Sequence, residues 1–323
     1  PEISFSWRKI LPLLGKEGFR VIAIDQRGYG KTTGGSIKYE DDIREYNLIN
    51  LSFDLVSFIN KMKINKIDLL VGHDAGSIIA GAATLLRPDL FKSLVMMSAP
   101  FTGPEKFEKN KTQLNIHSEL KKLSPPRKHY QWYYSTKEAN DDMSLSSKKE
   151  LSHFLRSYFY VKSADWKHNE PYQLSEWSAN ELEKLPEYYI MKLEDTMVDS
   201  VTKFYPKGIA CNWLTDEELN VYTNTFFNNG FQSALNWYRC MTSEIQNKEL
   251  NIFQGKLISN HSLYISGEKD WGMHQKPGAL QKMESLCTNF KGIKTIKNAG
   301  HWVQQENPKE VIKVILNFYS SFA

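Results

Sequence analysis

Cysteine, long apolar runs and a surplus of one charge are all scarce in this chain of 323 residues. The three cysteines, Cys211, Cys240 and Cys287, are far apart and odd in number, so they form neither a metal-ligand spacing nor a disulfide framework. No apolar run approaches the length that crosses a membrane. The net charge is only +4, and the basic residues are scattered rather than gathered in a stripe that would bind nucleic acid. These absences predict a cytoplasmic protein without a metal, a nucleic-acid partner or a membrane span.

Apolar runs of strand length alternate with helix-like segments at both ends of the chain. Residues 19–25 predict a buried strand, residues 67–73 and 94–98 predict further strands, and residues 5–15, 43–62 and 76–86 predict helices. The pattern returns late, with strands predicted at 262–267 and 292–296 and helices at 275–287 and 307–319. Such alternation predicts an α/β fold with a mostly parallel, doubly wound sheet.

The strand signals vanish between residues 104 and 256. This stretch has helical and loop-like patterns, is rich in tryptophan and tyrosine, and contains Pro125-Pro126 near its start. We interpret it as a helical cap inserted between two strands of one core domain. The predicted division is therefore a core of residues 1–103 and 257–323 and a cap of residues 104–256.

Gly72-His73-Asp74-Ala75-Gly76 stands between a predicted strand and a predicted helix. A small residue on each side of a central side chain is typical of a nucleophile elbow, because larger flanking residues would clash in the sharp turn. A serine that attacked a saturated carbon would leave a stable ether, whereas an aspartate leaves an ester that water can hydrolyse. Asp74 therefore suits displacement at carbon in an epoxide or an alkyl halide. The alternative is that Asp74 only caps the following helix.

Two further residues follow predicted strands in the order that a catalytic triad requires. Asp270 comes after the strand at 262–267, and His301 comes after the strand at 292–296. His301 is the candidate base that activates water, and Asp270 is the candidate that orients its imidazole. The chain order of nucleophile, acid and base is that of α/β-hydrolases.

Epoxide opening also requires a donor to the oxygen that becomes an alkoxide, and tyrosine is suited to that role. Tyr238, in Asn236-Trp237-Tyr238-Arg239, and Tyr130, followed by Gln131, are the two candidates. On composition alone the cap offers these rivals: Tyr133, Tyr134, Tyr158, Tyr160, Tyr188 and Tyr189.

These motifs resemble those of the soluble epoxide hydrolases of the α/β-hydrolase superfamily. The matching stretches are Ser6-Trp7-Arg8, Gly28-Tyr29-Gly30, Gly72-His73-Asp74, Asn236-Trp237-Tyr238-Arg239, Glu268-Lys269-Asp270 and Gly300-His301-Trp302.

The resemblance implies an α/β-hydrolase fold with Asp74 as nucleophile, His301 as base and Asp270 as its orienter. It also implies that Tyr238 and Tyr130 open the ring and that the Ala75 amide is one oxyanion-hole donor. The side chains expected to bind the substrate are those of Gln131, Trp237, Trp271 and Trp302. The implied partners are a small apolar epoxide and water, with no cofactor, and a homodimer is compatible with the family.

Two departures from the family pattern affect these expectations. Ala75 replaces a tryptophan that follows the nucleophile in many members, which widens the pocket and removes a ring that related haloalkane dehalogenases use to hold halide. Pro1-Glu2 looks like the end of the family motif His-Gly-x-Pro, so the N-terminal strands and one oxyanion donor are expected to be missing. We therefore do not expect full activity from residues 1–323 alone.

Two other functions fit parts of the pattern. A haloalkane or haloacid dehalogenase uses the same aspartyl ester, and release of halide rather than a diol would distinguish it. A non-catalytic α/β-hydrolase relative that binds a small apolar ligand is the second alternative, although all three members of the triad are present.

Overall fold

The computed structural model describes residues 1–32, 38–104, 115–206, 211–243 and 245–322. Its strands are β1 (Ile67–His73), β2 (Phe91–Met97), β3 (Arg127–His129), β4 (Ile190–Lys192), β5 (Ile258–Gly267) and β6 (Cys287–Ile296). The helices that start before residue 200 are α1 (Leu11–Lys16), α2 (Leu48–Lys61), α3 (Ala75–Leu86), α4 (Ile116–Lys121), α5 (Tyr130–Tyr133), α6 (Glu138–Met143), α7 (Lys148–Val161), α8 (Ala179–Leu182) and α9 (Met197–Thr202). They continue with α10 (Asp216–Asn229), α11 (Gln232–Thr242), α12 (Ile245–Leu250), α13 (Ala279–Leu286), α14 (Val303–Glu306) and α15 (Pro308–Ser320).

The main sheet has the strand order β1-β2-β5-β6, and every neighbouring pair is parallel. In register, His73 lies opposite Met97, and Gly267 lies opposite Ile296. The carboxyl ends of all four strands therefore meet at one edge of the sheet. This edge is where ligands bind in open parallel sheets.

Helices cover both faces of this sheet. Leu94 and Met96 of β2 pack in one apolar cluster with residues of α2, α3 and α13. The alternate residues Val95 and Met97 pack in another cluster with residues of α1 and α15. Successive side chains of a strand point to opposite faces, so the division follows from the extended backbone. The prediction of an α/β, doubly wound parallel sheet is confirmed.

The prediction of a strand at residues 19–25 was wrong. The segment forms no strand, and its residues are half-buried or exposed, including Ile22 at 42%. A strand exists only where a neighbour pairs with its backbone, and the described part of the sheet ends at β1. A cavity, rather than a paired strand, lies between this segment and β1. Apolar, β-branched composition alone was not sufficient to make a strand.

The region between residues 104 and 256 is mainly helical, with one exception to the prediction. The short strands β3 and β4 pair antiparallel, with Arg127 opposite Lys192. The sequence pattern missed them because each has only three residues. Residues 105–114, 207–210 and 244 of the predicted cap lie outside the described residues. The domain boundaries themselves stay a prediction.

Neither a membrane-crossing helix nor a metal-ligand cluster occurs in the part of the chain that the structure describes. Its longest helices, α2, α7 and α10, have 14 residues each. A helix needs about 20 apolar residues to cross the hydrocarbon core of a bilayer.

Candidate active site

The turn after β1 holds Asp74 at φ 51° and ψ −122°, a conformation that few residues other than glycine adopt. A Cβ atom on Gly72 would lie 2.2 Å from the carbonyl oxygen of Gly76, so glycine is required at position 72. The Asp74 amide donates to the carbonyl oxygen of Met97 at 3.0 Å, which fixes the turn against β2. Stored strain of this kind is typical of a nucleophile elbow.

The Asp74 carboxylate projects from the turn instead of capping helix α3. Asp74 occupies the N-cap position, but its side chain accepts no capping hydrogen bond. Its side chain is 42% exposed, in a site that is otherwise largely buried. The helix-capping interpretation therefore lacks the hydrogen bond that defines it.

His301 lies between the two carboxylates in the arrangement of a triad. Its Nε2 is 3.2 Å from Asp74 Oδ2, and its Nδ1 is 3.0 Å from Asp270 Oδ1. Asp270 is buried, and its carboxylate also accepts hydrogen bonds from the Gly272 amide at 2.7 Å and from Ser266 Oγ at 3.2 Å. These bonds hold the Asp270 carboxylate in one orientation, and its hydrogen bond with Nδ1 then fixes the orientation of the His301 imidazole.

The site keeps both carboxyl groups ionised. Burial by itself raises the pKa of Asp74, but the hydrogen bond and charge of His301 outweigh this effect and lower the pKa below its ordinary value. Smaller contributions come from the charges of Lys162 and His73. Burial likewise raises the pKa of Asp270, and the charge and hydrogen bond of His301 lower it overall. Asp74 is therefore an anion, which is the form that a carboxylate nucleophile requires.

A partly buried pair, Glu2 and His73, lies behind His301 and was not predicted from the sequence. His73 Nδ1 contacts the carboxylate of Glu2, and His73 Nε2 is 2.7 Å from the carbonyl oxygen of His301. Burial lowers the pKa of His73, but the charge of Glu2 raises it overall to about 9, so both ring nitrogens donate at neutral pH. Glu2 also accepts from the side-chain amides of Gln304 and Gln305, each at 3.0 Å. The pair thus ties the backbone of His301 to the elbow.

Glu306 holds the same loop from the other side. Its carboxylate accepts hydrogen bonds from the amides of Ala164 at 2.8 Å, Gly300 at 2.9 Å and Trp302 at 3.0 Å. Burial raises the pKa of Glu306 to about 8, against the effect of these three donors. The two amides on either side of His301 are therefore fixed to a segment that follows α7.

The two candidate ring-opening tyrosines are neighbours, with ring centroids 6.0 Å apart. The Tyr130 hydroxyl donates to Gln275 Oε1 at 3.3 Å and accepts from Gln131 Nε2 at 3.2 Å. Burial, together with the charge of Asp74, raises the pKa of both phenols well above the ordinary value. Tyr130 and Tyr238 therefore stay protonated and can donate a hydrogen bond.

Hydrogen bonding alone does not separate Tyr130 from the other tyrosines, because its own hydroxyl is already bonded to Gln275 and Gln131. The Tyr133 hydroxyl donates to Asp142 at 2.8 Å, and the Tyr188 hydroxyl donates to Asn169 at 2.8 Å. Tyr158 is different, because it lines the same cavity as Asp74. Tyrosine spacing in the sequence carried no information about which hydroxyls are already engaged.

The four side chains predicted to bind substrate differ in their burial and in whether they line the cavity. Trp237 lines the cavity, and its Nε1 donates to the carbonyl oxygen of Arg27 at 2.8 Å. Trp302 also lines the cavity, is almost fully buried, and donates to the carbonyl oxygen of Phe159. Trp271 is buried and packs against Tyr172 with ring centroids 5.2 Å apart. Gln131 is half-buried and donates to the Tyr130 hydroxyl, and neither of these two residues lines the cavity.

A cavity of about 1190 Å³ adjoins the nucleophile. Asp74, Tyr158 and Tyr238 line it near the triad, and it extends between β1 and residues 17–27. Ala75 also lines it and begins helix α3, so its amide has no acceptor within the helix and can serve an oxyanion. The arrangement places a carboxylate nucleophile and the protonated phenol of Tyr238 on one cavity. The histidine base and its carboxylate lie behind Asp74, and Tyr130 lies behind Tyr238.

The chain is similar to known proteins over nearly its whole length. A family model described as the alpha/beta hydrolase fold matches residues 1–308. Epoxide hydrolase B of Mycobacterium tuberculosis is 28% identical over 335 residues, an alignment that covers 98% of this chain and 88% of that protein. Bifunctional epoxide hydrolase 2 of Sus scrofa is 24% identical, over 100% of this chain and 50% of that protein.

Solved structures of epoxide hydrolases have a similar fold. An epoxide hydrolase from an endophytic Streptomyces superposes with a TM-score of 0.79 at 24% identity, covering 99% of this chain and 86% of that chain. Potato (Solanum tuberosum) epoxide hydrolase I superposes with a TM-score of 0.74 at 25% identity, covering 100% of this chain and 90% of that chain. The fold is thus shared with these proteins over nearly the whole chain.

Proposed function

Since the chain belongs to the α/β-hydrolase fold family, whose model matches residues 1–308, we propose that it hydrolyses an apolar epoxide to a vicinal diol through an ester on Asp74. The core of residues 1–103 and 257–323 supplies the triad in this proposal, and the cap of residues 104–256 supplies the two tyrosines. The enzyme acts on the epoxide and water without a cofactor. A cytoplasmic location and a homodimer belong to the same proposal.

One observation carries the assignment: an ionised carboxylate, rather than a hydroxyl, occupies the elbow within hydrogen-bond distance of His301. A carboxylate that attacks saturated carbon forms an ester, and a histidine can then activate water against that ester. The named epoxide hydrolases among its relatives, at 24% and 28% identity over nearly the whole chain, support this chemistry.

In the first step an Asp74 oxygen attacks one epoxide carbon, and the carbon–oxygen bond of the ring breaks. The electron pair of that bond goes to the departing oxygen. Tyr130 and Tyr238 donate hydrogen bonds to this developing alkoxide. The alkoxide takes the proton of one phenol to become the first hydroxyl of the product, and solvent returns a proton to that phenol when the Asp74 carboxylic acid formed in the second step ionises. The raised pKa of both phenols keeps these donors available at neutral pH.

In the second step His301 Nε2 takes a proton from water, and the resulting hydroxide attacks the carbonyl carbon of the Asp74 ester. The Ala75 amide faces the oxyanion that forms. Collapse of this intermediate breaks the acyl–oxygen bond, and His301 returns the proton to the departing alkoxide. The second hydroxyl of the diol therefore contains the oxygen that Asp74 supplied.

The paired phenols distinguish an epoxide from an alkyl halide as the substrate. A phenolic hydrogen bond supports an alkoxide that stays attached to the product, whereas a departing halide leaves as a separate ion. The complete gene product is expected to convert styrene oxide to its diol and to release little bromide from 1-bromohexane. Replacing both Tyr130 and Tyr238 by phenylalanine should lower diol formation by about 100-fold.

The measurement is the initial rate of diol formation and of bromide release, with Tyr133→Phe as the matched control. The Tyr133 hydroxyl already donates to Asp142, so this control should retain most of the activity. Bromide release faster than diol formation would transfer the assignment to a dehalogenase. Turnover of neither substrate would favour a ligand-binding protein.

A further inference from the structure

Lys162 is a buried lysine beside the candidate triad. It follows the last residue of α7, and only 5% of its surface is exposed. Its carbonyl oxygen accepts a hydrogen bond from the amide of His301 at 2.8 Å. The backbone of Lys162 is therefore fixed to the residue that serves as the base.

Aromatic rings surround its ammonium group. Lys162 Nζ lies 4.9 Å from the ring centroid of Tyr189, 5.2 Å from that of Tyr158, 5.7 Å from that of Trp302 and 5.8 Å from that of Tyr188. Each distance is within the range of a cation–π contact. We call the four rings of Tyr158, Tyr188, Tyr189 and Trp302 the aromatic cage of Lys162. Tyr158 and Trp302 also line the cavity that contains Asp74, so the cage adjoins the reaction site.

No acidic side chain within the described ranges forms an ion pair with Lys162 at 4.0 Å or less. A buried charge without a counter-ion is costly, and rings compensate for only part of the lost hydration. Such a charge still acts over several ångströms where the surroundings are largely apolar. The charge of Lys162 acts on Asp74, because it contributes to lowering the pKa of the Asp74 carboxyl group.

We infer that the Lys162 ammonium stabilises the oxyanion that forms on the Asp74 ester when water attacks it. This inference rests on the proposed function, because only an ester on Asp74 creates that oxyanion. The charge acts through space, and Lys162 takes no proton from the substrate and gives none to it. Its carbonyl also holds the His301 amide, so the lysine contributes to the same step in two ways.

The direction of charge movement assigns the effect to the second step. In the first step negative charge leaves Asp74 for the alkoxide, so a fixed positive charge near Asp74 opposes the reaction. In the second step negative charge returns to the carbonyl oxygen of Asp74, and the same fixed charge favours it. Loss of the charge should therefore slow hydrolysis of the ester while leaving its formation unchanged or faster.

The test compares ester formation and ester decay in three variants of the complete gene product. Lys162→Met removes the charge but keeps an apolar side chain that packs against rings. Lys162→Arg keeps the charge. Lys128→Gln is the matched control, because Lys128 makes a similar contact with the Tyr133 ring at 4.8 Å in the cap and its charge is not one of the main contributions to the Asp74 pKa.

Rapid quenching of styrene oxide turnover, followed by intact-protein mass spectrometry, gives the fraction of enzyme in the ester at each time. In Lys162→Met the ester should decay about tenfold more slowly than in wild type and accumulate. Lys162→Arg and Lys128→Gln should keep ester lifetimes close to that of wild type.

Equal ester decay in Lys162→Met and wild type would overturn the inference, and so would equal slowing of both steps, which indicates a structural role. If Lys162→Met does not fold, a long-lived ester in Lys162→Arg is the contradicting result. If wild type itself forms neither ester nor diol, the proposed function fails and the inference fails with it. Normal wild-type turnover combined with unchanged ester decay in Lys162→Met overturns the lysine inference alone.

Discussion

Replacing Asp74 by alanine is expected to reduce epoxide turnover on the order of 10⁴-fold or more, because the variant has no atom that can form the ester. Tyr130, Tyr238 and His301 all remain in this variant, but no nucleophile is left to attack the epoxide carbon. The measurement is the initial rate of diol formation from styrene oxide, with a melting curve to establish that the variant folds.

Asp68→Ala is the matched control for this prediction. Asp68 lies on the same strand, β1, but its side chain is 45% exposed and pairs with Lys92 at the surface. Its loss should leave the rate within about twofold of wild type, since surface ion pairs contribute little. A rate for Asp74→Ala within tenfold of wild type would rule out Asp74 as the nucleophile.

Replacing His301 by glutamine is expected to separate the two steps. Asp74 can still attack the epoxide, but no base remains at 3.2 Å to activate water against the ester. Turnover should fall by about 10³-fold, and nearly all of the enzyme should gain the mass of one substrate molecule. Peptide mapping should locate the added mass on the peptide that contains Asp74.

The control for His301→Gln is His153→Gln, because His153 is exposed on α7 and has no contact with the triad. It should turn over normally and show no accumulated ester. Absence of the mass shift in His301→Gln, together with loss of activity, would contradict a role confined to the second step.

The main elements of the fold were predictable because their local patterns are strong. The apolar runs that became β2 and β5 are largely buried between two helix layers, and such strands need continuous apolar sequence. The run that became β1 is half-buried, because one side of it borders the cavity. Gly72 and Gly76 indicated the elbow because the sharp turn excludes a Cβ at position 72. The order of Asp74, Asp270 and His301 was predictable because each follows a parallel strand that ends at the same sheet edge.

Features that depend on distant partners could not be predicted from the sequence. Residues 19–25 have strand composition, but pairing decides whether a strand forms, and the described sheet offers them none. Glu2 and His73 are 71 residues apart and carry no shared periodicity. Lys162 is a single charge after a helix, and its cage comes from three separate segments. None of these contacts leaves a local signature.

The central claim is that an Asp74 oxygen enters the product, and a single turnover in water labelled with ¹⁸O tests it most directly. With enzyme in excess over styrene oxide, the account predicts a first-turnover diol without ¹⁸O and an Asp74-containing peptide that has gained the label. Labelled diol in the first turnover, with an unlabelled Asp74 peptide, would show that water attacks the epoxide carbon directly and would contradict the covalent mechanism.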